Sequence, residues 1–251
     1  MQVFAEKIKA LQIPENIKAD LVSFIGEVNN VFGNESICCY VYGPAAKDEF
    51  VQNVSGVNLM VVVDNLDVSK IDSIAGKANQ YKTKSSILPR FLTKKNVLTG
   101  LDVFAIDYFE IQKEGILLAG DDILKDKAIE QKHLVFQLER DTKAMRMKVI
   151  QGYWRSVDQV PALRKVLFVN LRQLLKLLRV MLDIKNVQYS GMEQAITKSA
   201  EIIKFDPDKL SGLLKTRKEK KELNKNELVL YSRELFNVIA LMDDYFDEWN
   251  K

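Results

Sequence analysis

Residues 38–63, CCYVYGPAAKDEFVQNVSGVNLMVVV, decide the fold. The runs 36–43 (SICCYVYG) and 57–63 (VNLMVVV) are short and rich in β-branched and aromatic residues, which reads as two buried strands. Gly43-Pro44 opens the turn between them, and Asp64-Asn65 closes the unit. Working outward, residues 1–33 read as two helices, because Ile17, Leu21, Phe24, Ile25 and Val28 recur at helical spacing, Pro14-Glu15 suits a helix start and Gly33 a stop. Residues 67–81 return to helix, with Ser69 or Asp67 as the cap. After a Lys/Ser-rich turn come ILPRFLT, a short helix TKKNVLT, a strand LDVFAIDYFEI and an edge strand GILLAG, ending near the acidic turn GDDILKD at 120–126.

Beyond that turn the period stays helical. Leu134, Leu138, Met145 and Val149 share one face, residues 161–183 are apolar on most faces, and 191–204 and 227–249 are amphipathic. The reading is therefore an α+β chain: an N-terminal domain with a small mixed sheet over 1–125, then an all-α helical bundle over 126–251 whose centre is LFVNLRQLLKLLRVML. At 251 residues and 47% hydrophobic the chain can bury two moderate cores. No low-complexity linker separates the halves, so they are expected to pack together.

Charge narrows the function classes. Residues 1–125 carry 13 Lys+Arg against 16 Asp+Glu, and residues 126–251 carry 24 against 18. The basic excess of the second half is diluted in its clearest run, KTRKEKKELNKNE at 215–227, by Glu219, Glu222 and Glu227, which reads as a solvated loop or helix end and argues against nucleic acid. The longest apolar segment, 166–182, is broken by Arg172, Lys176 and Arg179, so neither a signal peptide nor a membrane span is expected. Cys38 and Cys39 are adjacent and point to opposite faces of a strand, which excludes a mutual disulfide and a zinc spacing and suits a reducing cytoplasm.

Val41-Tyr42-Gly43-Pro44, the twelve residues that follow, Val57–Val63, and then Leu101-Asp102-Val103-Phe104 resemble, in order and spacing, the nucleotidyltransferase superfamily, in particular bacterial members that join such a domain to a helical bundle. The resemblance implies a Gly-Ser turn at a helix start, an Asp-x-Asp pair on the next strand and a third carboxylate on a neighbouring strand. The chemistry is explicit: Mg²⁺ takes one or two carboxylates plus substrate phosphates, and i, i+2 spacing on a strand points both to one face. Aligned by turn and strand, the Asp-x-Asp positions are Gly56 and Asn58, and the turn serine is Pro44. Glycine has no ligand, asparagine offers a neutral oxygen, and proline lacks the N–H a phosphate would use.

The resemblance thus implies a vestigial site of Asn58 and Asp102, with Asp107 a poorer substitute, and a nucleotide contact at Gly43, Pro44 and Lys47, to which Arg90 and Lys94 add positive charge. Taken singly, Gly43-Pro44 reads as an ordinary turn, Asn58 as a cap and Asp102 as a backbone-bonding aspartate. No metal ligand set is expected; Mg²⁺ belongs only to an active alternative drawing carboxylates from Asp48 or Glu49. The expected partner is a nucleoside triphosphate. The expected function is a nucleotidyltransferase fold with lost ligands, inactive or binding a nucleotide or partner. The alternatives are an active transferase and an interaction module whose bundle forms a homodimer.

Remaining candidates read as structural. His133 stands alone and is expected to be exposed or to cap. Asp243, Asp244, Asp247 and Glu248 read as a solvated acidic face with Trp249 inward, and Arg140, Lys143 and Lys148 as interdomain or intrahelical ion-pair donors to Glu139 and Asp141. Tyr153 and Trp154, at a helix end, read as core aromatics, with lining of a cleft between the domains as the alternative.

Overall fold

The computed structural model describes residues 2–47, 49–52, 55–76, 81 and 85–249. The chain divides into two compact units, Met1–Glu130 and Gln131–Lys251. In the first, α1 (Gln2–Ala10) and α2 (Glu15–Phe32) precede the sheet, and α2 buries the stripe Ile17, Leu21, Phe24, Ile25 and Val28. The strands β1 (Ser36–Tyr42), β2 (Val57–Val63), β3 (Ile87–Thr93) and β4 (Ile116–Gly120) form one sheet in the order β3-β2-β1-β4. β1 runs antiparallel to β2 and β4, whereas β2 and β3 are parallel. A parallel pair cannot be joined by a tight turn, and α3 (Val68–Ala75), capped by the Asp67 carboxylate at 2.9 Å from the Ser69 N–H, lies in the crossover.

Strand alternation sorts the side chains into two cores. Cys39, Val41, Leu59, Val61 and Val63 pack with α1 and α2. Cys38, Tyr40, Met60 and Val62 face the other way, onto Val97 of α4 (Lys94–Thr99) and Tyr108 and Ile111 of α5 (Ala105–Glu114). The two cysteines are therefore buried, free and on opposite faces, and burial pushes both thiols up to about 12.

Two expectations are corrected here. LDVFAIDYFEI is not a strand: residues 101–104 form a turn, and α5 follows, burying Ala105, Ile106, Tyr108 and Ile111 at helical spacing. Asp102 consequently lies exposed on a turn and not on the sheet. ILPRFLT is the third strand, with Pro89 on the sheet edge, where a missing N–H breaks no ladder bond on the outer side.

The second unit is a bundle of α6 (Gln131–Ser156), α7 (Val160–Ile184), α8 (Gly191–Ile203), α9 (Pro207–Lys218) and α10 (Lys225–Trp249). α7 packs against α6, α8 and α10 and is buried at Leu171, Leu174, Leu175, Leu177 and Leu178, as its broad apolar face requires. α9 has a start signature in Asp206-Pro207, with the Asp206 carboxylate 3.0 Å from the Asp208 N–H. The basic run divides between the end of α9 and the start of α10.

The acidic end of α10 is only partly solvated. Asp243 is buried and accepts from Lys143 at 2.9 Å and Arg146 at 2.7 Å, and Asp247 accepts from the same Lys143 at 2.6 Å, so two carboxylates of α10 share one ammonium of α6. These pairs join helices within the bundle. Trp249 is half-buried, with the Lys185 ammonium 4.5 Å above its ring. Trp154, expected in the core, is 83% exposed. Among the described residues no helix is long and apolar enough to cross a membrane.

Candidate functional site

β1 ends at Tyr42, and Gly43 turns the chain with a φ of +73°, a conformation that costs little only for glycine. Gly43–Ala46 then form a single 3-10 turn with Pro44 in its first positions and Ala45 buried beneath. The turn leads into no described α-helix, so the helix N-terminus that the resemblance implies is absent from the described residues.

Asn58, the second residue of β2, pairs directly with Tyr42 across β1. Its amide lies against the turn: a Cβ built on Gly43 would stand 2.8 Å from Asn58 Nδ2. Gly56 precedes β2 by one residue, and a Cβ there would meet Leu88 Cδ1 at 2.7 Å. Leu88 is in turn the β3 partner of Asn58. The i, i+2 positions therefore converge beside β3 and next to the glycine turn, as strand alternation predicts, but they carry a hydrogen and an amide.

The neighbouring strand supplies no carboxylate. β3 reads ILPRFLT, and none of the four strands contains Asp or Glu. Arg90, two residues beyond Leu88 and so on the same face, donates to Asp107 of α5 at 3.0 Å. Asp107 is thus brought to this face by a helix, and it already holds a guanidinium. Among the described residues no group of three or more His, Cys, Asp or Glu is placed to hold a metal ion. A single amide oxygen does not meet the carboxylate requirement of Mg²⁺. Asp48 lies outside the described residues; Glu49 is exposed.

Lys47 follows the turn, but its ammonium is drawn toward α5, where it pairs with Glu110 at 3.4 Å and with Glu114. Its side chain is only 10% exposed. A phosphate reaching Lys47 also meets these two carboxylates. Lys94 is exposed on the first turn of α4. Of the expected residues, folding brings Gly43, Pro44, Asn58 and Lys47 to one end of the sheet, and leaves Asp102 on an exposed turn. Glu110 and Glu114 were missed by sequence reading, since a predicted strand there would alternate their neighbours and not stack i, i+4 on a helix. His133 is half-buried on the first turn of α6.

No protein-family model matches the chain, and no curated protein matches it. Among solved structures, the spectinomycin adenyltransferase AAD(9) from Enterococcus faecialis, crystallised with ATP and spectinomycin, is similar with a TM-score of 0.54. The match covers 87% of this chain and 99% of that chain at 15% identity. The chain has the nucleotidyltransferase fold. At that identity the likeness is one of architecture, and the nucleotidyltransferase fold here consists of the small mixed sheet with its glycine turn and the helical region that follows.

Proposed function

We propose that this is a nucleotidyltransferase-fold protein that does not carry out metal-dependent nucleotidyl transfer and retains Gly43, Pro44, Asn58 and Lys47 as a weak contact for a nucleoside triphosphate. One observation carries the reading: Gly56 and Asn58 stand beside the glycine turn, at the positions that the resemblance pairs, and none of the four described strands holds an acidic residue. Without carboxylates to hold divalent cations, charge developing on a transferring phosphoryl group lacks its main stabiliser. Binding is expected to be weak, with Kd on the order of 1 mM, because Lys47 must loosen from Glu110 or Glu114 to meet a phosphate.

Calorimetric titration with ATP and the other nucleoside triphosphates, with and without Mg²⁺, tests this. The expected result is weak binding that Mg²⁺ does not strengthen, no pyrophosphate release, and further weakening in Lys47→Ala. Mg²⁺-dependent binding with pyrophosphate release overturns it in favour of an active transferase drawing on Asp48 or Glu49. A second arm restores the ligands. Gly56→Asp with Asn58→Asp, combined with Leu88→Ala because Leu88 occupies the space a Cβ at 56 needs, should gain Mg²⁺ affinity at least tenfold. A folded triple variant with no gain shows that the positions are misassigned.

A further inference from the structure

We infer that the outer face of α6 is a self-docking surface, on which a second copy of this chain lays its own α6 antiparallel. Phe136, Met147, Ile150 and Trp154 are 65%, 61%, 52% and 83% exposed. Their spacing of 11, 3 and 4 residues places them in one stripe at the helical period, opposite the buried line Leu134, Leu138, Met145 and Val149. Solvent-facing helix positions normally carry polar side chains, and an aromatic that exposed, in line with three other large apolar groups, has the composition of an interface core.

Two features select a second copy as the occupant. The first is register: Phe136 and Trp154, Arg140 and Ile150, and Lys143 and Met147 are each symmetric about Met145. Two α6 helices related by a two-fold axis at Met145 therefore set Phe136 on Trp154, the Arg140 stem on Ile150 and Lys143 on Met147, at both ends alike. The cations within the stripe do not repel across it. Lys143 is held by Asp243 and Asp247, and Arg140 by Asp141 at 3.0 Å.

The second feature is area. With large side chains of about 150–250 Å² each, the four exposures amount to on the order of 500 Å² per copy, or ~1,000 Å² for the pair, the lower limit for a specific interface. Phe136 and Trp154 lie 18 positions apart, ~27 Å of helix, which matches the reach of such a patch.

Light scattering on the full chain across a concentration series tests the proposal. The wild type is expected at twice 28.7 kDa, and Trp154→Glu with Met147→Glu at 28.7 kDa, with the dissociation constant raised at least ~100-fold and the circular dichroism unchanged. A wild type that stays monomeric overturns the inference. So does a dimer that survives both substitutions, which places self-association on another face. Orientation is read by cross-linking, since both native cysteines are buried. About Met145 the two copies of residue 147 lie ~6 Å apart along the axis and those of 154 ~27 Å apart, so a short thiol cross-linker should join Met147→Cys but not Trp154→Cys. The reverse result overturns the antiparallel register.

Discussion

Asp243 stands one helical turn before Asp247 on α10, and both reach the Lys143 ammonium, while Arg146 reaches Asp243 alone. Burial by itself would push the Asp243 carboxyl up, but the hydrogen bonds from Lys143 and Arg146 outweigh it and hold the group below its ordinary value. A carboxyl held lower in the folded than in the unfolded chain stabilises above its unfolded pKa, and that contribution is lost as pH falls through the folded value. Asp243→Asn leaves Arg146 facing a neutral amide and Lys143 with Asp247, and is expected to cost on the order of 2 kcal/mol near pH 7, a fall in Tm of about 4–8 °C. From roughly pH 4, the unfolded carboxyl's own range, the gap between variant and wild type should narrow as pH falls toward the lowered folded value. Thermal melts of both proteins from pH 7 to pH 3 check this, and a gap that stays constant shows that the charge is not what stabilises. The sequence showed the acidic cluster at 243–248 but not its partners, because Lys143 is a hundred residues away.

At the level of elements, the first two strands were legible because seven-residue β-branched runs bounded by turn residues have few other solutions. LDVFAIDYFEI was not, since an eleven-residue apolar run satisfies both periods until something packs on it. The sheet decides in favour of the helix, as Tyr108 and Ile111 of α5 fill the face that Cys38, Tyr40, Met60 and Val62 leave open. GILLAG was legible as an edge strand, and its end rests on one backbone feature. Gly120 has φ +77°, and a Cβ there would fall 1.8 Å from the Ile37 carbonyl oxygen of β1. Gly120→Ala is expected to break the Cys38–Gly120 end of the β1–β4 ladder at a cost of about 3 kcal/mol, read in denaturant unfolding. A variant as stable as wild type means that the ladder end is dispensable.

For the whole molecule, each unit has its own core: the two faces of the sheet in the first, the five helices about α7 in the second. A unit with its own core is expected to fold alone. Fragments 1–130 and 131–251 should each show a cooperative thermal transition by circular dichroism, and a fragment that melts without cooperativity ends the claim for that unit. The same scale governs the candidate site. Gly43 and Asn58 meet because the β1–β2 register sets Tyr42 opposite Asn58, whereas Lys47, next to the turn, is held by Glu110 and Glu114 of α5, and neither pairing is written in local spacing.

By itself the sequence determined what short-range periodicity and residue chemistry dictate: two strands with a Gly-Pro turn between them, a helical second half, and cysteines on opposite faces. Only the tertiary structure decided that residues 105–114 are helix, that Lys47 is spoken for by Glu110 and Glu114, that Asp102 stays on an exposed turn, and that Trp154 faces solvent. The reason is physical. Ambiguous segments, long charged side chains and helix faces are settled by whichever neighbour removes them from water, and those neighbours come from distant parts of the chain.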